Sequence, residues 1–156
     1  MMYYKTMDKQ VKSIIIASVI ALFIGIVALL YFFFPPLSFA IASSAAGVKM
    51  DYPVYKPAEF RVSRPVESAP GQITISYTDG KSSYILVAQN SPWDNEGLVA
   101  NKITPISTTY QTLTKDGISI FRISDQAMWV NFGVLYTISD DGRLPNEEIL
   151  KIVDGI

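Results

Sequence analysis

The chemistry open to this chain is narrowed first by what it lacks. Its 156 residues contain no Cys and no His, which removes thiol nucleophiles, disulfides, lipid attachment to Cys, Cys/His zinc sites and a His general base. Carboxylates remain. Asp140 and Asp141, with Asp125 nearby in sequence, raise a calcium or acid/base cluster. A hard cation takes about six to eight oxygens from a D-x-D-x-D-G type of loop, and Asp-Asp-Gly-Arg lacks that spacing, so it reads as a polar turn. Ser is frequent, but without His and without a Ser-x-x-Lys motif it supports no serine hydrolase. These residues point to binding rather than catalysis, with no metal or other cofactor. An envelope enzyme working with carboxylates alone is the alternative.

Aromatic side chains are the better candidates for recognition. Trp93 and Trp129 read as core residues that pack the helices on the sheet. Tyr52, Tyr55 and Tyr110 stand in loop-like contexts, where they could meet an envelope protein, a peptide or a glycan. A third constellation lies near the N-terminus. Ala17, Ala21 and Gly25 recur four apart, a small-xxx-small stripe that lets two membrane helices approach closely. A homodimer through that stripe is possible but not favoured, since small residues are common in such helices.

The element that carries this stripe dominates the sequence. Ser13 to Phe34 is a run of 22 residues with no charge, no Pro and one Gly. A helix of that length rises about 30 Å, the thickness of the hydrocarbon core, and satisfies its own backbone in lipid. Tyr31 and Phe32 to Phe34 crowd its far end, where aromatic rings favour the interface, and Pro35-Pro36 stops it. A cleavable signal peptide is the rival reading, because Ala40-Ile41-Ala42 resembles a cleavage site, which would make the product a secreted binding domain. The apolar run is longer than a signal sequence needs, so retention in the lipid bilayer is the favoured reading.

Lys5, Lys9 and Lys12 precede the run against Asp8, whereas ten Lys and Arg face thirteen Asp and Glu from Lys49 onward, a formal −3. Basic residues close to a span stay inside. The chain is therefore expected to place 1–12 in the cytoplasm, 13–34 across the plasma (inner) membrane, 35–50 as a flexible linker rich in Ser and Ala, and 51–156 outside as one folded domain. That weakly acidic domain shows no basic footprint for nucleic acid.

Within it, Tyr52-Pro53-Val54-Tyr55-Lys56-Pro57 favours extended chain, and Phe60 to Val66 suggests an edge strand because of Pro65. Ile73, Ile75 and Tyr77 alternate with Thr74, Ser76 and Thr78, and Asp79-Gly80 leads into Ser83 to Gln89, a hairpin signal. Ser91-Pro92-Trp93-Asp94 predicts a helix capped by Ser91 and running to about Lys102. Lys115-Asp116-Gly117 and Asn131-Phe132-Gly133 predict two more hairpins. Leu144 to Ile156 predicts a last helix with Glu147 and Glu148 in its first turn and Ile149, Ile152, Val153 and Ile156 on one face. The class is α+β: a transmembrane helix, then an antiparallel sheet of about six to seven strands with two packing helices, in the order strands, helix, strands, helix.

The runs YPVYKPAEFRVS, GQITISYTDG, SPWDNEGL and KDGISIFRI, closing with AMWVNFGVLYTISDDGRLPNEEILKIVDGI, resemble a bacterial family, domain of unknown function 4367, over nearly all of Tyr52 to Ile156. Trp129, Gly133, Tyr136, Ile138, Leu144, Glu147 and Glu148 occupy the family's Trp hairpin, its G-x-x-Y-x-I strand and the acidic start of its last helix. The motifs are structural. Such domains often follow one membrane span, and some relatives look like outer portions of anti-sigma factors or envelope proteins, which implies sensing or binding outside the membrane. The twelve residues ahead of the span are too few for a sigma-binding domain.

Overall fold

Two successive helices open the chain, and a double proline separates them. In the computed structural model α1 spans Met2–Phe33 and α2 spans Pro35–Ala46, with Phe34 between them at φ −118° and ψ 89°. Proline drives the residue before it out of helical geometry, yet fits the first positions of a new helix. One residue therefore both ends α1 and starts α2. The structure describes the backbone of residues 2–63 and 65–156 and the side chains from residue 9 onward, residue 64 excepted. The expected contribution of Lys5 and Asp8 to the flank charge lies outside the described side chains. Within Lys9–Phe33 an 18-residue stretch has a mean hydropathy of 2.9, and none of that stretch is buried.

Among the described residues eight strands follow: β1 (Arg61–Val62), β2 (Glu67–Ala69), β3 (Gln72–Thr78), β4 (Ser83–Asn90), β5 (Gln111–Lys115), β6 (Ile118–Ile123), β7 (Gln126–Asn131) and β8 (Val134–Asp140). They form one antiparallel sheet in the order β1-β3-β4-β8-β7-β6-β5, with β2 also pairing β3. Register follows the two-residue period, since a slip of one residue would turn every apolar side chain outward. Ile75 pairs Leu86, Leu86 pairs Ile138, and Ile138 pairs Ala127, so four strands bring their apolar residues to one face. Trp129 and Tyr136 stack across β7 and β8 with centroids 5.1 Å apart, and Tyr77 and Tyr84 stack across β3 and β4 at 4.6 Å.

Two helices cover that face. The last helix, α4 (Asn146–Asp154), buries Ile149, Ile152 and Val153, and α2 buries Ser38, Phe39, Ala42 and Ala46, so both share one core with β3, β4 and β8. On the opposite face Phe121, Met128 and Leu135 pack under Leu98 and Ile103. Those two belong to a short helical segment, α3 (Asn95–Leu98), which widens into a π turn over Val99–Ile103.

The sheet, its three expected hairpins and the α+β class agree with the sequence reading, with eight strands where six to seven were expected. Other expectations are corrected. The flexible linker at 35–50 is mostly α2, because its Ser and Ala residues are small enough to lie flat on the sheet and its one Phe fills the gap beneath. Its ends are fastened: Ser38 Oγ accepts from Val66 N at 3.4 Å, Gly71 N donates to Ala46 O at 2.8 Å, and Asn90 Nδ2 donates to Gly47 O at 3.1 Å. A third helix thus packs on the sheet where two were expected. The strand expected over Phe60 to Val66 is confined to β1, Arg61–Val62, and pairing with β3 resumes only at Glu67 in β2, since Pro65 offers no N–H to a ladder. The helix after Ser91 is capped instead by Asp94, whose Oδ1 accepts from Gly97 N at 2.8 Å, while Ser91 Oγ takes Trp93 N in a turn. Finally, the residues ahead of the apolar run are helical from Met2, so the short N-terminal tail continues α1.

Candidate functional site

Three segments far apart in sequence close around one groove. It holds about 340 Å³ and is lined by Pro57, Ala58, Phe60, Asp79, Ser82, Ser83, Asp141, Arg143, Leu144, Pro145 and Glu148. Each wall is set by local chemistry. Phe60 N donates to Pro57 O at 3.1 Å, which folds the chain after the Tyr-Pro segment. The β3–β4 turn is drawn in by the Asp79 carboxylate, which accepts from Lys81 N at 2.7 Å and Ser82 N at 2.6 Å, while Thr78 Oγ1 donates to Ser82 O at 2.9 Å. Asx and Ser/Thr turns of this kind substitute side chain for ladder where the strand ends.

The third wall, between β8 and α4, is held by Arg122 and Asp140. The Asp140 side chain is 2% exposed, and its oxygens accept from Gly142 N at 2.8 Å and Leu144 N at 2.9 Å. Arg122 Nη2 lies 3.8 Å from Asp140, and its Nη1 donates to Leu144 O at 2.8 Å and Asn146 Oδ1 at 2.7 Å. A planar guanidinium can satisfy several fixed acceptors at once. It fixes Leu144 and Pro145 as an apolar floor beside Phe60, which leans on Tyr84 at 5.2 Å.

Acidic groups dominate the rim. Backbone N–H bonds from Ser82 and Lys81 lower the Asp79 carboxyl below its ordinary value. The hydrogen bond from Tyr55 Oη at 2.5 Å, then that from Lys151 Nζ at 2.9 Å, lower Glu148 as well. General acid work needs a carboxyl shifted the other way. Arg143 is the one cation of the lining, and it is engaged by Asp141 at 3.6 Å and Ser82 Oγ at 3.1 Å. Chemically the groove offers an apolar bed with hydrogen-bond acceptors and negative charge around it.

Tyr55 reaches the groove through Glu148, and Tyr52 packs edge-on against Phe39 of α2 at 5.3 Å. Tyr110 stands before β5, exposed and edge-on to Phe121 at 5.7 Å. The structure therefore distributes these three rings over different elements instead of gathering them into one patch. Ala17, Ala21 and Gly25 lie on the exposed α1, where a Cβ added at Gly25 would meet nothing within 4 Å. Asp125 and Asp140 meet through backbone, Asp140 N donating to Asp125 O at 2.9 Å. Trp129 is buried, and Trp93 is half-buried against the smaller core with Lys102 Nζ 6.0 Å from its ring centroid.

Arg122 and the floor residues Phe60, Leu144 and Pro145 escaped the sequence reading. A lone Arg inside the apolar strand ISIFRI was the available signal for the first. Nothing in the sequence signals the floor, because its parts come from three distant segments. Phe132 was passed over as well: it is 97% exposed at the β7–β8 turn, with φ +47° ahead of Gly133 at +76°. Asn or Gly usually fills such a position.

Fold and site together define an α+β domain, an antiparallel sheet with helices on its faces, carried behind one long apolar helix. The family comparison is specific: the chain belongs to the family described as Domain of unknown function (DUF4367), whose model matches residues 52–156. A comparison with curated proteins gives no match.

Proposed function

We propose that this protein is a single-pass, membrane-anchored binding domain of the bacterial cell envelope, with its N-terminus in the cytoplasm and residues 51–156 outside. The observation that carries the anchoring is the union of α2 with the core. Removal of a signal sequence at Ala40 or Ala42 would take away Ser38 and Phe39, both buried beneath the sheet's cover. The apolar α1 is therefore worth keeping attached, and the unburied apolar stretch within Lys9–Phe33 suits lipid. Lys9 and Lys12 ahead of it favour the inside orientation.

For the binding role, the support is the groove beside Phe60 and Leu144. Its apolar floor and its Asp79, Asp141 and Glu148 rim suit a short protein or peptide segment bearing apolar and basic side chains. The lowered carboxyls of Asp79 and Glu148 favour this reading over an acid/base enzyme. The domain would then hold a partner close to the membrane, without a cofactor and without nucleic acid.

Two measurements test the proposal. The intact mass of protein extracted from membranes is expected to include α1; a product starting at Ile41 or Ser43 removes the anchor. Because the chain has no Cys, Ser82→Cys can carry a photo-crosslinker into the groove, with Phe132→Cys at the far hairpin as comparison. A discrete adduct at position 82 is expected in intact membranes. Adducts at position 132 alone would sink the groove as the binding surface.

A further inference from the structure

The junction of α1 with the domain contains a crevice that neither the groove nor the core explains. On one side stand Ala28, Leu29, Phe32 and Phe33 of α1, and on the other Ser63 and Pro65 of the loop between β1 and β2; the space is about 410 Å³ and mostly apolar. It adjoins a second recess of about 350 Å³, lined by Phe32, Phe33, Pro35, Ser38, Arg61, Val62, Ser63, Pro65 and Thr78. The two share Phe32, Phe33, Ser63 and Pro65. Together they run from the last turns of α1 to Arg61. Among the described residues Arg61 has no carboxylate partner.

Depth decides what fills this space, and here the argument rests on the anchored reading above. From Ser13 to Phe33 the helix rises about 30 Å, the full hydrocarbon thickness. With Lys12 at one boundary, Phe33 lies at the other. Ala28 and Leu29 then sit about 6 to 8 Å inside it. The loop at Ser63 and Pro65 shares their crevice, so the domain does not hover over the bilayer; its edge reaches the hydrocarbon boundary. An apolar gap at that level is filled by acyl chain, since water gains too few partners there. A guanidinium one recess further out stands at the level of headgroup phosphates, which it binds well.

We infer that a bilayer phospholipid occupies this crevice, its upper acyl chain against Leu29, Phe32, Phe33 and Pro65 and its phosphate on Arg61. The domain thereby has a second hold on the membrane besides α1, and its tilt on the surface is fixed. That hold turns the Asp79–Ser82 wall of the groove toward the bilayer, because Thr78 borders the recess and Asp79 follows it in the chain.

The test uses the full chain in vesicles of phosphatidylglycerol and phosphatidylcholine, with a nitroxide on single cysteines. Ser63→Cys and, in case that variant folds poorly, Pro65→Cys report the crevice. Phe23→Cys in α1 and Phe132→Cys at the far hairpin set the limits. Oxygen is expected to reach the label at 63 or 65 more readily than a water-soluble nickel complex does, as at 23 and opposite to 132. Labels at 63 and 65 that behave like 132, while 23 reports hydrocarbon, overturn the crevice and leave the anchor standing. A label at 23 that reports water overturns both. In the unlabelled chain, Arg61→Gln is expected to lose part of the motionally restricted signal of spin-labelled phosphatidylglycerol; an unchanged signal removes the phosphate contact.

Discussion

α1 and α2 are neighbours in the chain, both helical and, from Ser13 onward, both free of charge, yet they meet opposite surroundings. Along α1 large side chains such as Ile16, Leu22, Phe23 and Leu29 point in every direction, and all are exposed. No face of a folded sheet could cover them all. Along α2 the buried side chains are Ser38, Phe39, Ala42 and Ala46, which recur at helical spacing, while Ile41 on another side of the helix is exposed. A helix set all round with large apolar side chains asks for lipid, whereas one whose inner face is mostly small residues can lie close on a sheet. With Phe34 as the one residue between the helices, the core element begins where the apolar span ends.

Charge placed in each helix gives the largest separation of the two. Ala42→Asp puts a carboxylate into a position 3% exposed within the apolar core, and is expected to cost the domain roughly 3–5 kcal/mol, as for an uncompensated buried charge. Ala21→Asp is expected to leave domain unfolding by urea unchanged in detergent, while costing about 2.5–3.5 kcal/mol in membrane insertion. Equal urea midpoints for the two variants would erase the distinction.

Truncation of one ring comes next. Phe39→Ala removes the large apolar side chain of α2 and its edge contact with Tyr52, with an expected loss of about 3–5 kcal/mol. A chain starting at Phe34 is expected to keep the parent midpoint, and one starting at Ser43 to lose as much as Phe39→Ala or more. If the shorter chain matches the longer, α2 is only an accessory.

A smaller effect probes the other covering helix. Gly155 ends α4 against the Tyr55 segment, and a Cβ there would lie 2.9 Å from Tyr55 N and Tyr55 Cβ. Since backbone must move, Gly155→Ala is expected to cost about 1–3 kcal/mol and to weaken the Val54 N to Gly155 O bond. Hydrogen exchange at Val54 reads it directly, and unaltered protection there would show the segment to be held by other contacts.

The smallest effect is a pH dependence confined to the domain, since α1 has no carboxylate between Ser13 and Phe33. Asp79 titrates below its ordinary 3.8 because Ser82 and Lys81 N–H groups hold its charged form. Its folded value lies under its unfolded one, so its contribution is complete above the unfolded value and is lost as pH falls through the folded one. Wild type is therefore expected to lose more stability than Asp79→Asn on acidification below about pH 4. Parallel acid limbs would show that the turn draws nothing from the charge.

Much of this was readable without coordinates, and for reasons that can be named. Ile73, Ile75 and Tyr77 announced β3 through a period of two, and Asp-Gly pairs announced two hairpins because few residues accept positive φ. The stripe Ile149, Ile152 and Val153 announced α4. What failed was α2: Ser, Ala and Gly are also the residues of flexible tethers, and composition does not reveal an uncovered sheet face. The groove failed for a related reason, since Phe60, Asp79 and Leu144 have no common local pattern.

By itself, then, the sequence determined the apolar helix and its length, the strands and their turns, and the absence of Cys and His chemistry, all properties of neighbouring residues. Only the tertiary structure decided that 35–46 belongs to the core, that Arg122 and Asp140 lock the last loop over Phe60, and that the loop at Ser63 and Pro65 lies beside Leu29. Each of these depends on surfaces contributed by distant segments, and such a meeting is fixed by packing rather than by any local preference of the chain.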